Sequence, residues 1–233
     1  MGYYYFDYTY FLFMIPALIL SMIAQAKVQS TFHKYAKMSS ARRLTGSEAA
    51  QQVLLSNGVT GVRVEQVGGN LTDHFDPRTN VIRLSDSVCY NSSVAAVGVA
   101  AHEAGHAVQH AVGYLPIKIR GFLVPITQFG SRLAVPLILI GMLLPVQYDF
   151  VVNVGIALYS LAVLFELVTL PVEFNASRRA IKSLGEANIL YGEELEGAKK
   201  VLTAAAMTYL ASTFTALLSL LRLLLIFGRR NNR

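Results

Sequence analysis

Four long apolar stretches dominate the pattern of the chain. The first covers residues 8–26 and contains no charged side chain, and three more follow at 122–144, 150–172 and 201–227. Each has enough residues to cross about 30 Å of hydrocarbon as an α-helix. The pattern therefore predicts about four transmembrane helices, with the second and third joined by a short turn into a hairpin.

Three charged side chains interrupt the later apolar stretches. Arg132, Glu166 and Arg222 fall inside the second, third and fourth stretch, respectively. Because a charge within a bilayer is costly, it normally faces a partner or a water-filled space. We therefore expect Glu166 to pair with Arg132 or Arg222.

Residues 27–116 have a different pattern, in which short alternating segments precede one helix. The sequence Thr45-Gly46-Ser47-Glu48 is a capping box ahead of a predicted helix at 49–56. Runs rich in β-branched and aromatic residues predict three short strands, at 62–67, 71–75 and 81–84. This part of the chain is therefore predicted to form a small α+β module.

The composition is typical of a membrane protein. Apolar residues make up 54% of the chain and charged residues 15%, and the mean hydropathy is +0.45. The single cysteine, Cys89, excludes an internal disulfide bond and is expected to be a small buried residue. The net charge of +6 comes from basic residues that flank the apolar stretches, which favours anionic lipid as a partner and argues against nucleic acid.

The distribution of charge also predicts the orientation of the spans. Five basic residues follow the first stretch, which has none before it: Lys27, Lys34, Lys37, Arg42 and Arg43. The positive-inside rule then places residues 27–116 in the cytoplasm, and the first stretch is predicted to be an uncleaved anchor. The turn at 145–149 has no Lys or Arg, so residues 173–200 are also predicted to be cytoplasmic. If the last stretch crossed the membrane completely, its basic tail would lie outside, against the positive-inside rule. Two alternatives therefore stay open: the stretch re-enters without crossing, or it spans and the tail is an exception to the rule.

An H-E-x-x-H motif, His102-Glu103-Ala104-Gly105-His106, lies within a predicted helix that begins after Ser93 and ends before Gly113. Residues four apart share one face of a helix, so the imidazoles of His102 and His106 can bind one zinc ion. Glu103 then projects beside them, toward a zinc-bound water. The motif predicts a metal-dependent hydrolase.

The third protein ligand must come from elsewhere in the chain. His110 lies about 12 Å along the helix axis from His102, too far to share the ion, and no histidine follows it. A carboxylate is therefore expected. We choose Glu173, because it lies where the third span emerges on the same side as the motif. Glu166, two turns deeper on the same helical face, is the alternative.

Two imidazoles and one carboxylate leave a fourth zinc position for water, so the predicted reaction is peptide-bond hydrolysis with Glu103 as general base. Candidate donors to the oxyanion are His74, Arg178 and Tyr114. The strand at 81–84 is a candidate to pair with the substrate backbone, and a plain core hairpin is the alternative.

Three motifs occur together in this chain: His74-Phe75-Asp76-Pro77-Arg78, the zinc motif at 100–106, and the segment 170–179. Together they resemble the YugP-like neutral zinc metallopeptidases of bacterial membranes, with more distant similarity to HtpX and the CaaX prenyl proteases. The resemblance covers most of the chain. In the wider group that includes HtpX and the CaaX prenyl proteases, the similarity implies an E-x-x-x-D pattern on the downstream helix, in which Glu binds zinc and Asp steadies a ligand histidine. Glu173 matches, but Ser177 occupies the Asp position, so Ser177 or Asn175 is expected to take the supporting role.

The predicted fold is a mainly α membrane protein with a small zincin-like α+β cytoplasmic module. Five segments are expected: a transmembrane anchor at 1–26, the module with the zinc helix at 27–116, a transmembrane hairpin at 117–172, a cytoplasmic helix with the third ligand at 173–200, and a transmembrane or re-entrant segment with a basic tail at 201–233.

The predicted function is a gluzincin-type metalloendopeptidase of the bacterial plasma membrane. It is expected to bind one zinc ion per chain, to face the cytoplasm and to cleave protein or peptide substrates, such as membrane or misfolded proteins. One alternative is a zinc-stabilised scaffold or regulator without catalysis. Another is a site-two-type intramembrane protease, which needs an Asp ligand in a later span, whereas the only later Asp, Asp149, lies at the outer turn.

Overall fold

The computed structural model describes residues 8–228. Within that range the chain forms seven α-helices and three strands: α1 Tyr8–Ala36, α2 Gly46–Ser56, β1 Arg63–Val67, β2 His74–Asp76, β3 Val81–Ser85, α3 Asp86–Cys89, α4 Val94–Ala111, α5 Leu115–Leu143, α6 Phe150–Glu186 and α7 Gly192–Gly228. Helices α1, α5, α6 and α7 are long and apolar enough to cross a membrane. The prediction of a mainly α membrane protein with four such helices is confirmed. The basic tail at 229–233 lies outside the described residues.

The chain divides into two compact units. The first, the helical unit, comprises residues 8–24, 119–170 and 208–228 of the described range. Within it α5 and α6 pack closely at Gly141, which has no side chain. A Cβ added there would lie 2.9 Å from the backbone nitrogen of Val152. Its outer surface is apolar, with Leu143 88% and Phe129 69% exposed. Such a surface is suited to contact with lipid rather than with water.

The predicted pairing of Glu166 is not formed in the helical unit. Within residues 8–228, Glu166 takes part in no ion pair. The guanidinium of Arg222 instead lies 5.3 Å from the centroid of the Tyr10 ring, where the face of the aromatic ring attracts a cation.

The second, the mixed unit, comprises residues 25–118 and 171–207. Its hydrophobic core surrounds α4, which packs against α2, the sheet and the parts of α6 and α7 that belong to this unit. The predicted capping box is confirmed, because the Thr45 hydroxyl accepts from the Glu48 backbone N–H and the Glu48 carboxylate accepts from the Thr45 backbone N–H. Cys89 is buried in the core, as expected, and burial raises the pKa of its thiol.

The three-stranded sheet has the order β1, β3, β2, with β3 parallel to β1 and antiparallel to β2. Strand β3 is therefore the central strand and has no free edge. This overturns the prediction that the strand at 81–84 pairs with substrate. The apolar pattern of β3 comes instead from burial, since Val81, Ile82 and Leu84 are all fully buried.

The sequence pattern predicted one helix at 173–200, but the structure has the end of one helix and the start of another in this segment. Helix α6 continues past Pro171 without interruption and ends at Glu186, and α7 begins at Gly192. Between them, Asn188 has a backbone φ of +50°, a left-handed conformation that a helix does not contain and that Asn tolerates better than most residues. Ile189 and Leu190 are fully buried and fasten this turn to the core.

Candidate metal centre

Helix α4 is held by its cap and by the small residues along it. Ser93 is the N-cap, and its hydroxyl accepts a hydrogen bond from the Ala96 backbone N–H at 3.2 Å. Gly113 follows the helix with a φ of +67°, which glycine adopts without strain. Alanines and valines fill the buried face, so the helix lies deep in the mixed unit. His102 and His106 project from it one turn apart, with ring centroids 4.7 Å apart.

Three ligand atoms from two helices meet at one point of the mixed unit. The Nε2 atoms of His102 and His106 are 3.2 Å apart, and Glu173 Oε2 of α6 lies 3.2 Å from the first and 3.5 Å from the second. Tetrahedral zinc with bonds of about 2.0 to 2.1 Å separates its ligand atoms by about 3.3 Å. The observed triangle therefore has the size that zinc requires.

The hydrogen bonds on the far side of each imidazole determine which nitrogen carries the proton. His102 Nδ1 lies 3.1 Å from Ser177 Oγ, and His106 Nδ1 lies 3.1 Å from Gln109 Oε1. Because an amide oxygen only accepts, His106 Nδ1 donates to it, and His106 Nε2 keeps its lone pair. A hydroxyl oxygen can accept as well as donate, so Ser177 Oγ can accept from His102 Nδ1 in the same way and leave His102 Nε2 with a lone pair. Two nitrogen lone pairs and a carboxylate oxygen then face one another and repel, and a cation bound between them would replace this repulsion by attraction.

Gln109 is a residue of the site that the sequence analysis missed. Its side chain is fully buried, and its Nε2 donates to the Val172 carbonyl at 2.8 Å and to Asn175 Oδ1 at 2.9 Å. Asn175 Oδ1 also accepts from Arg179 Nε at 2.8 Å. One amide thus connects a candidate ligand on α4 to the turn of α6 that carries Glu173. The available signal was a polar residue three positions after His106, on the same buried face of the helix.

The carboxyl group of Glu103 is buried beside the three ligands but does not belong to them. Its side chain is 8% exposed, and it lies on the same helix. Burial raises the pKa of Glu103 above its ordinary value, and repulsion from Glu173 and Asp73 acts in the same direction. His102 and a backbone hydrogen bond from Phe75 on β2 oppose this rise.

The other predicted residues are more peripheral. His74 is exposed and its Nδ1 bonds to the Thr72 carbonyl at 2.7 Å, Arg178 is exposed, and the Tyr114 hydroxyl donates to the Pro171 carbonyl at 3.5 Å. His110 is exposed and packs edge-on against Phe75, 5.9 Å between ring centroids. Among the described residues, the cluster of potential metal ligands contains neither His74 nor His110.

Comparison with known proteins agrees with this geometry. Residues 10–228 match the family described as "Putative neutral zinc metallopeptidase". The chain is 45% identical over 225 residues to "Putative membrane protease YugP" of Bacillus subtilis (strain 168), covering 95% of this chain and 99% of that protein. No solved structure matches the chain significantly. The resemblance to the YugP-like family is thereby confirmed, and the chain belongs to this neutral zinc metallopeptidase family.

Proposed function

We propose that the chain is an integral-membrane zinc metalloendopeptidase of gluzincin type, with one zinc ion held by His102, His106 and Glu173. Glu103 is the general base. The observation that carries the proposal is the triangle of two Nε2 atoms and one carboxylate oxygen, with no edge longer than 3.5 Å, beside a buried carboxyl group that is not a ligand. A zinc ion that only joined two helices would have no use for that extra carboxyl group.

The residues of the chain divide the chemistry between them. Bound zinc supplies Lewis acidity and lowers the pKa of a coordinated water to about 7. Glu103 is on the helix that carries both histidines, so its carboxylate can accept a proton from the attacking water and return it to the leaving amine. Ser177 and Gln109 keep the two imidazoles in the tautomer that exposes Nε2. These roles together support hydrolysis of a peptide bond.

Strand β2 is the proposed binding edge for the substrate. It packs against α4 and pairs with β3 on one side only, so no further strand pairs with its other side. The Phe75 backbone hydrogen bond to Glu103 fixes this strand beside the general base. An extended peptide that adds to such an edge is aligned with the zinc helix by main-chain hydrogen bonds.

We propose that the site faces the cytoplasm of a bacterial cell. The support is the charge pattern: Lys and Arg are frequent just after the first apolar stretch and in the second half of α6, and are missing from the turn between α5 and α6. Protein or peptide substrates, including membrane and misfolded proteins, then have access to the site from the inner side of the membrane.

The test is a metal analysis of the full-length protein in detergent, with cleavage of an unfolded protein such as casein as the activity. E103Q should retain about one zinc per chain and lose about 10²- to 10⁴-fold in rate. H102A, H106A and E173Q should lose both zinc and activity. E193Q, a matched change of an exposed glutamate, should keep both. Cleavage by E103Q at the parental rate would contradict the proposed mechanism.

A further inference from the structure

A basic groove lies between α1 and α7 in the mixed unit, apart from the metal centre. Its volume is about 470 Å³, and the polar side chains that line it include four lysines and two hydroxyl groups: Lys27, Lys34, Lys199, Lys200, Ser30 and Thr203. We name this the lysine groove. Neither the zinc ligands nor the general base contributes to it.

The lysine groove has a rigid floor. A Cβ added at Gly197 of α7 would lie 2.7 Å from the ring of Tyr35 on α1, so the Tyr35 ring packs directly against the backbone of α7. Tyr35 is 7% exposed and is part of the hydrophobic core. The helices therefore hold the lysines at a fixed separation, and the groove is a built feature of the fold rather than a loose surface.

The charge in the lysine groove is not neutralised by the protein. The groove contains one carboxylate, Glu196, whose Oε1 lies 3.5 Å from Lys199 Nζ. Within residues 8–228, Lys27, Lys34 and Lys200 form no ion pair with a carboxylate. Three ammonium groups thus have no carboxylate partner, and Lys34 Nζ lies 5.4 Å from the centroid of the Tyr35 ring. The Ser30 hydroxyl donates to the Lys27 carbonyl, so the hydroxyls of Thr31 and Thr203 are the ones that add hydrogen-bond donors for an anion.

The position of the groove along the helices indicates which anion it meets. Lys27 is the first charged residue of α1 after the apolar stretch at 8–26, and Lys200 is the last of α7 before the charge-free stretch at 201–221. Lysines at such boundaries lie at the level of the lipid phosphates. Ala204 and Met207 extend the lining toward the apolar side. We propose that the lysine groove binds the phosphate group of an anionic phospholipid, with the start of an acyl chain along Ala204 and Met207.

The proposal is tested by native mass spectrometry of the delipidated full-length protein in detergent, titrated with phosphatidylglycerol or with phosphatidylcholine. The parental protein should prefer phosphatidylglycerol, and this preference should weaken as salt is raised. The triple variant K27Q/K34Q/K200Q should bind phosphatidylglycerol about tenfold or more weakly, with little change for phosphatidylcholine. The matched control, K37Q/R43Q/K118Q, removes three positive charges from exposed positions outside the groove and should bind as the parental protein does.

Three results would overturn the proposal. The first is equal binding of phosphatidylglycerol by the parental protein and the groove variant. The second is an equal loss in the control variant, which would mean that only the net charge matters. The third is displacement of phosphatidylglycerol by millimolar inorganic phosphate, which would identify the ligand as free phosphate. The arginine variant K27R/K34R/K200R should retain binding, which separates loss of charge from damage to the fold.

Discussion

Gly105 and Ala176 bring the backbones of α4 and α6 into close contact: a Cβ added at Gly105 would lie 2.6 Å from the Ala176 carbonyl oxygen. A real Cβ essentially never lies within 3.0 Å of a backbone atom of another helix, so only glycine fits at this crossing without a shift of the backbone. Gly105 lies between Glu103 and His106 in the motif, and Ala176 lies one turn after Glu173. The close crossing is therefore what brings the carboxylate of one helix within reach of the imidazoles of the other.

We predict that G105A weakens zinc binding and destabilises the fold. Alanine favours a helix by about 1 kcal/mol over glycine, but the steric conflict with a backbone oxygen costs more, about 1 to 3 kcal/mol, and separates α4 from α6. Zinc affinity, measured by competition with a chelator, should fall about tenfold or more, together with the unfolding temperature. G121A on α5, where an added Cβ meets nothing within 4 Å, is the control and should leave zinc affinity unchanged. Parental affinity in G105A would show that the crossing does not position Glu173.

A second prediction concerns Gln109. In Q109L the acceptor for His106 Nδ1 is lost, the Val172 carbonyl loses its side-chain donor, and Asn175 Oδ1 keeps only the hydrogen bond from Arg179 Nε. Loss of a partner that orients a ligand histidine typically lowers metal affinity by about 10- to 100-fold, and each unpaired buried group costs about 1 to 3 kcal/mol. The readouts are the zinc dissociation constant and the unfolding temperature. Q51L, the same change at an exposed position of α2, should alter neither quantity.

Ser177 provides a third prediction, because the family resemblance implies Asp at this position. S177A removes the partner of His102 Nδ1, which lies at 3.1 Å, and should weaken zinc binding by about tenfold. S177D supplies a carboxylate instead, which makes the imidazole a stronger ligand, so this variant should bind zinc more tightly than S177A. Chelator competition on the purified variants measures both. If S177A bound zinc as tightly as the parental protein, the supporting role of Ser177 would be wrong.

The fourth prediction is a dependence of stability on pH that arises from Asp76, the last residue of β2. The Thr79 hydroxyl, the Arg78 backbone N–H and the Arg83 guanidinium all donate to this carboxylate, at 2.8, 2.9 and 3.2 Å. They lower the pKa of Asp76 from 3.8 to about 2. Folding therefore favours the ionised form, and the stability that this provides is complete above pH 4 and is lost as the pH falls toward 2.

The variant D76N tests this effect of pH. It should unfold at a lower temperature than the parental protein at neutral pH, and the difference should narrow as the pH falls below about 4. Thermal unfolding between pH 3 and 7 measures the difference. E193Q, at an exposed position, serves as control and should show no such trend. A difference that stays constant with pH would assign the effect to something other than ionisation.

Local patterns in the sequence predicted the elements that depend on neighbouring residues. The capping box at Thr45 and the N-cap at Ser93 satisfy backbone groups only a few residues away, so their helices begin where the sequence indicates. The apolar stretches are long enough to identify the four long helices by length alone. The spacing of His102 and His106 predicts a shared face from the helical period. The structure places these two imidazoles together.

Features that depend on distant contacts could not be read in this way. Strand β3 is central because β1, from before the hairpin, pairs parallel to it, and no local pattern indicates that pairing. The turn at Asn188 interrupts an otherwise helical charge pattern because Ile189 and Leu190 are buried in the core. Gln109 connects His106 to α6 through hydrogen bonds to atoms 63 and 66 residues further along the chain, and no local pattern indicates these bonds.

The order of the candidate ligands along the chain has a consequence for biogenesis. Both histidines precede α5, whereas Glu173 follows most of the apolar part of α6, so the ribosome must complete two hydrophobic helices between them. Until those helices have been inserted, a nascent chain has only two of its three candidate ligands in place. Under the proposed function, hydrolysis therefore has to wait until the topology of the chain is complete.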